Sequence, residues 1–246
     1  MKHVRYALPL ALGAIIAACG SQGEESTDLE VATTDGEAKA LAESLPAGDF
    51  ADLQLGAKIV GPQGPEVKAR LTNSAGAFAD ITSYVACPAG MDPCDPKTAP
   101  AGTIYTYIHK VYPGEDNQQE TGSGTGADSS DIEIATNFVM TRPAHGFTGT
   151  AGYSKAEVIA AAGPRVDAII TCLDGGLAWT IDTGDGGNQW EQAEPITFYW
   201  QSTLPPAGPA DAYAIKANYV TASGNGPYPA EKAGVANACT GSSTEG

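Results

Sequence analysis

The sequence predicts a mainly β protein: an antiparallel β-sandwich or barrel-like domain with one or two short helices. Three observations carry this expectation. Short runs of alternating apolar and polar residues recur from Leu53 to Val220. Gly- and Pro-rich clusters separate them, as at Gly61-Pro62-Gln63-Gly64-Pro65 and Leu204-Pro205-Pro206-Ala207-Gly208-Pro209. Within this region only Ser154 to Ala162 has a convincing helical pattern, with Ser154 as cap and Glu157 three residues on.

Taken in order, the chain opens with Lys2 and Arg5 and then an apolar run from Tyr6 to Ala18. That run has the length of a signal-peptide core and falls short of the roughly 20 residues a membrane-spanning helix needs. It ends in Ile16-Ala17-Ala18-Cys19. This segment resembles the lipobox of bacterial lipoproteins, Leu-Ala/Ser-Gly/Ala-Cys, with Ile16 at the Leu position. The resemblance implies that residues 1–18 are a lipoprotein signal peptide cut before Cys19. It also implies diacylglycerol on the Cys19 sulfur and a further acyl chain, such as palmitate, on the new amino terminus. Several acyl chains hold a protein durably where one does not. Gly20 in second place favours the outer membrane or periplasmic face under the family's sorting rule, so the expected location is a cell membrane, lipid-anchored.

The formal charge of −16 keeps such a chain soluble and repels polyanions, which argues against a nucleic-acid partner. The five cysteines are an odd count. With Cys19 assigned to lipid, Cys87, Cys94, Cys172 and Cys239 remain, an even set that reads as two disulfides in an oxidising compartment. Three connectivities exist. Cys87–Cys94 and Cys172–Cys239 are favoured, because the first pair flanks a turn-rich segment and the second ties the last residues to the core.

Residues 19–48 read as an acidic flexible tether with a short helix, Asp35 to Leu45, stopped by Pro46 and Gly48. Residues 49–246 read as the β-rich extracytoplasmic domain. Strands are expected over Leu53–Ile59, Val67–Thr72, Phe78–Cys87, Thr103–Tyr112, Asp131–Thr141, Val166–Leu173, Leu177–Ile181, Ile196–Ser202 and Ala212–Val220. Pro88 to Gly102, Pro113 to Ser130 and Leu204 to Pro209 read as loops. The stretch after Thr221 reads as a Gly-, Pro- and Ala-rich tail anchored by Cys239.

Chemistry-bearing candidates are few. Asp174, Asp182, Asp185, Asn188 and Glu191 supply the oxygens calcium wants on a Gly-rich stretch, without EF-hand spacing; Asp-Gly turns explain the same residues. No other cofactor is expected. Trp190 is the aromatic best placed to be exposed for ligand stacking. Carboxylates in Pro113 to Ser130 would serve a glycosidase only if two faced each other across a cleft. His109 and His145 are the two histidines beyond the signal. Neither lies in a Gly-x-Ser-x-Gly context, and no catalytic residue is assigned. The expected function is therefore a membrane-anchored binding or interaction module of the cell envelope, with a glycan or protein ligand. An extracytoplasmic carboxylate hydrolase and a structural envelope protein are the alternatives.

Overall fold

The computed structural model describes residues 44–61, 64–114, 132–183 and 188–240. The chain divides into two units, Met1–Ala40 and Leu41–Gly246, and the described residues belong to the second. The lipobox, residues 35–43 of the expected helix and most of the acidic stretch, 115–131, lie outside them.

The strands are β1 Ser44–Leu45, β2 Ala47–Asp49, β3 Leu55–Lys58, β4 Val67–Asn73, β5 Gly76–Pro88, β6 Tyr105–Pro113 and β7 Ala135–Met140. Then follow β8 Phe147–Tyr153, β9 Asp167–Leu173, β10 Gly176–Asp182, β11 Ile196–Ser202, β12 Pro206–Ala217 and β13 Val220–Pro229. The α-helix α1, Lys155–Ala162, links β8 to β9.

These strands form one sheet, in the order β1-β9-β10-β7-β12-β13-β4-β5-β6-β11-β8-β2, with β3 also paired to β5. The sheet curls until its edges nearly meet, as a barrel. The N-terminal segment covers the seam. Ser44 pairs with Thr171 of β9, antiparallel, and Ala47 pairs with Ala151 of β8, parallel. One short stretch around Pro46 thus caps two edges that would otherwise expose open hydrogen-bonding groups. Gly48 and Gly152 make this approach feasible: a Cβ on Gly48 would collide with the Tyr199 hydroxyl, and one on Gly152 with the Gly48 carbonyl.

The alternation expected in Thr103–Tyr112 is the one that fills the barrel. Tyr105, Tyr107, His109 and Val111 are all buried. Tyr107 stacks on Trp200 of β11 at 4.4 Å. Phe138 of β7 lies at the centre of the packing, 5.1 Å from Phe198, 5.6 Å from Trp179 and 5.9 Å from Tyr213. A second apolar cluster lies on the outer face, where Phe50, Leu53 and Leu55 pack against Ala86, Ile108 and Tyr199. Both faces of β11 are therefore buried, so neither the Phe198/Trp200 side nor the Tyr199 side is free.

Several expectations need correction. Ser44–Leu45 is strand, at the end of the stretch where the sequence predicts a helix, and β1 and the start of β2 fall inside the segment that reads as tether. At these two residues pairing with the edge of β9 outweighs helix propensity. Pro206 to Pro209 belongs to β12 and pairs with β13, with register shifts that absorb the prolines. The strand β12 ends at Ala217, and Asn218 and Tyr219 make the hairpin turn at φ 45 and 65. The segment read as a tail contains β13, a central strand. β8 was also unforeseen, its alternation hidden by Gly149 and Gly152.

The helix α1 holds as expected, with the Glu157 amide donating to Ser154 Oγ at 3.3 Å. The reciprocal half of a capping box is absent. Glu157 instead accepts from the Thr197 amide at 2.6 Å, and the Ser154 amide donates to the Thr197 carbonyl at 2.8 Å, fastening the helix to β11.

Both favoured disulfides are present, Cys87–Cys94 and Cys172–Cys239, with Cα separations of 5.7 and 5.2 Å. Strand direction puts both at one end of the barrel. Replacing Cys172 and Cys239 together with Ser should lower unfolding free energy by about 4 kcal/mol, and the shorter Cys87–Cys94 loop by about 2.4 kcal/mol, on the loop-entropy relation. Denaturant titration of the two double variants checks both the size and the order. Phe138→Ala should cost about 3–5 kcal/mol in the same assay.

Candidate functional site

The disulfide end of the barrel carries an open cleft of about 370 Å³. Its floor is Tyr228 at the end of β13, its walls include Pro143, Pro209 and Pro229, and Arg142, His145 and Glu231 reach its rim. The loop between β7 and β8, Thr141 to Gly146, positions two of these. The Thr141 amide donates to the Ala212 carbonyl at 2.9 Å, and the Ala144 amide to the Gly175 carbonyl at 2.7 Å. Ser202 Oγ donates to the His145 carbonyl at 2.8 Å, and the Thr203 amide to the Gly146 carbonyl at 2.9 Å. Gly146 has φ 71, and a Cβ there would meet the Ser202 and Thr203 hydroxyl oxygens below 3 Å, so the loop fits only with glycine.

The Tyr228 hydroxyl donates to the Pro143 carbonyl. Burial, first, pushes its pKa up to about 12; Arg142 opposes that shift and Glu231 adds to it. The phenol stays protonated as a donor. The Arg142 guanidinium lies 5.8 Å over the Tyr228 ring, a cation–π distance, and the His145 ring meets the same ring edge-on at 5.6 Å. Sequence reasoning singled out His145 and passed over Arg142, Tyr228 and Glu231. A Tyr among Gly and Pro carried no alternation that would mark it as strand.

Asp174 stands apart from the other calcium candidates. Asp174 is in the β9–β10 turn at φ 49, where Asp-Gly supplies the positive φ of a tight hairpin. Asp182 lies at the opposite end of β10, a strand length of roughly 20 Å away. Asp185 is outside the described residues. Asn188 donates its amide to the Ala162 carbonyl at 3.2 Å, and the Glu191 amide donates to Glu194 Oε2 at 2.9 Å. Among the described residues no cluster of three or more His, Cys, Asp or Glu is arranged to hold a metal.

Trp190 is not exposed for ligand stacking. It is fully buried, stands edge-on to Phe198 at 5.8 Å and donates its indole N–H to the Glu194 carbonyl at 2.7 Å. An indole in a Gly-rich stretch still seeks an apolar site with one acceptor, and the end of the barrel provides it.

His109 lies inside the barrel. Its Nδ1 is 2.9 Å from Ser83 Oγ, and its ring is 4.1 Å from that of Tyr213. Both residues of this Ser–His pair are fully buried, which keeps substrate from them. Nε2 of His109 and Nε1 of Trp200 are buried without hydrogen-bond partners. Burial lowers the His109 pKa to about 3, so the folded protein holds it neutral.

The unfolded imidazole gains a proton near pH 6.5. Stability from this group is therefore complete above that pH and falls as pH drops toward about 3, by up to about 1.4 kcal/mol per pH unit. His109→Gln keeps a partner for Ser83 without titrating, and denaturant titrations across this range should show a flatter pH dependence than the parent.

Compared with protein-family models, with curated proteins and with solved structures, the chain matches none, and its functional reading rests on its own residues.

Proposed function

We propose that this protein is a lipid-anchored, extracytoplasmic binding module of the cell envelope, without catalysis. The observation that carries the reading is the cysteine pairing. Two disulfides use Cys87, Cys94, Cys172 and Cys239, which leaves Cys19 alone among five cysteines, at the lipobox-like segment. Disulfides of this kind belong to oxidising compartments.

Binding suits the fold better than chemistry does. The interior is filled by aromatic side chains, so a ligand meets the outer surface. The carboxylate-hydrolase alternative needs two carboxylates facing each other across a cleft; most of the acidic stretch from Pro113 to Ser130 lies outside the described residues, and Trp190 is packed inside the barrel. The segment from Cys19 to Ser44 reaches at most about 80–90 Å when fully extended, enough for the module to contact partners beyond the lipid surface.

Mass spectrometry of the mature amino terminus tests the anchor. The expected product begins at Cys19 and carries a diacylglycerol and an acyl chain, and Cys19→Ser should lose both. An unmodified chain beginning elsewhere would overturn the lipoprotein reading.

A further inference from the structure

We infer that the cleft at the disulfide end binds a small carboxylate, with Arg142 as its main contact. This rests on the reading of the protein as a surface binding module and is independent of whether Cys19 is acylated.

Asp and Glu outnumber Lys and Arg 29 to 13 in this chain, so an arginine here has many candidate partners. Arg142 nevertheless makes no ion pair among the described residues. Its guanidinium rests over the Tyr228 ring, 5.8 Å from the centroid, and Arg142 is exposed at the cleft rim. The ring contact orients the guanidinium without using its N–H edge, which stays available for a planar, two-oxygen acceptor. The backbone bonds that pin Thr141 to Gly146 reduce the ordering cost of binding, because the loop is already set. His145, held against the same ring, adds a second polar group at the rim.

The rest of the cleft narrows the class. Pro143, Pro209 and Pro229 present apolar rings and no backbone N–H, so the walls suit an apolar or ring-shaped body, while the polar groups at the rim take its charged end. Glu231 lines the same cleft. A single negative charge tolerates that neighbour and the acidic chain around it; a dianion such as phosphate is repelled about twice as strongly. A carboxylate could come from an acidic sugar or from a free peptide terminus, and both offer this chemistry.

The intact chain should be titrated by calorimetry, or by amide chemical shifts, with glucuronate, N-acetylalanine, inorganic phosphate and the neutral methyl ester of glucuronate. One of the two carboxylates is expected to saturate at millimolar concentration or below, and which one does so separates the two sources. Arg142→Gln should weaken it by about ten-fold or more, the value of a charged hydrogen-bonded contact. Arg142→Lys should lie between, and Glu231→Gln should tighten binding, with thermal midpoints near the parent's. The proposal is overturned if neither carboxylate saturates by ~20 mM, which corresponds to about 2.3 kcal/mol of binding. It is equally overturned if phosphate or the neutral ester binds as well, or if Arg142→Gln binds like the parent. An acylated Cys19 together with any of these failures would leave the anchor standing and remove only the carboxylate site.

Discussion

The interior of the barrel has to be filled, and most of the sequence answers to that constraint. A closed sheet of this many strands encloses a space that side chains must occupy, usually by setting large residues against small ones. Tyr107, Phe138, Trp179, Trp200 and Tyr213 supply the bulk. Small residues face them. The Tyr213 ring takes the space that a Cβ on Gly226 would need, at 2.6 Å, and its hydroxyl donates to the neighbouring Pro227 carbonyl at 2.8 Å. Trp179 donates to the Gly152 carbonyl at 3.0 Å and Tyr107 to the Leu204 carbonyl at 2.9 Å. Tyr213, Trp179 and Tyr107 thus end on backbone acceptors, which avoids the cost of a buried unpaired donor at each, while Trp200 Nε1 is buried without a partner.

The same constraint explains which parts of the fold were legible in the sequence. Strands whose inward residues are bulky, such as β6 and β11, declared themselves by alternation, and β11 matched its expected limits. Strands whose inward residues must be small did not. In β13 the inward positions are Ala222, Gly224, Gly226 and Tyr228, and a Cβ on Gly224 would strike the Arg70 carbonyl. Read locally, that pattern is a loop; only the presence of Tyr213 and Arg70 opposite makes it a strand. The cleft was illegible for a related reason, since Arg142 and Tyr228 lie far apart in the chain and meet only because β7 and β13 end at the same rim. Cys87–Cys94 and Cys172–Cys239 were legible because pairing is a counting constraint and loop position narrows it further.

Closure brings the N-terminal segment into the same scheme. Ser44 pairs with Thr171, whose neighbour Cys172 is bonded to Cys239. The chain therefore enters the sheet beside a covalent tie between β9 and the C-terminal segment. If Cys19 is anchored, as proposed, any pull along the chain arrives first at β1, whose pairing is short but whose partner β9 is cross-linked through Cys172. The outer cluster of Phe50, Leu53 and Leu55 on Ala86, Ile108 and Tyr199 adds apolar burial just beyond the seam. Load is thereby shared between the seam pairing and an apolar contact.

A filled interior moves recognition to the rim, and the two ends of the barrel are not equivalent there. The end with α1 closes on backbone and apolar contacts, as in the tie between Glu157 and Thr197. The disulfide end holds its connecting loop by hydrogen bonds to backbone carbonyls, which leaves the Arg142 and His145 side chains outside that bonding. Side chains outside that bonding, on a loop held by backbone hydrogen bonds at Thr141, Ala144, His145 and Gly146, are the arrangement a binding site requires. That Arg142 is a cation in a strongly acidic chain gives the rim a chemical preference that the bulk surface lacks.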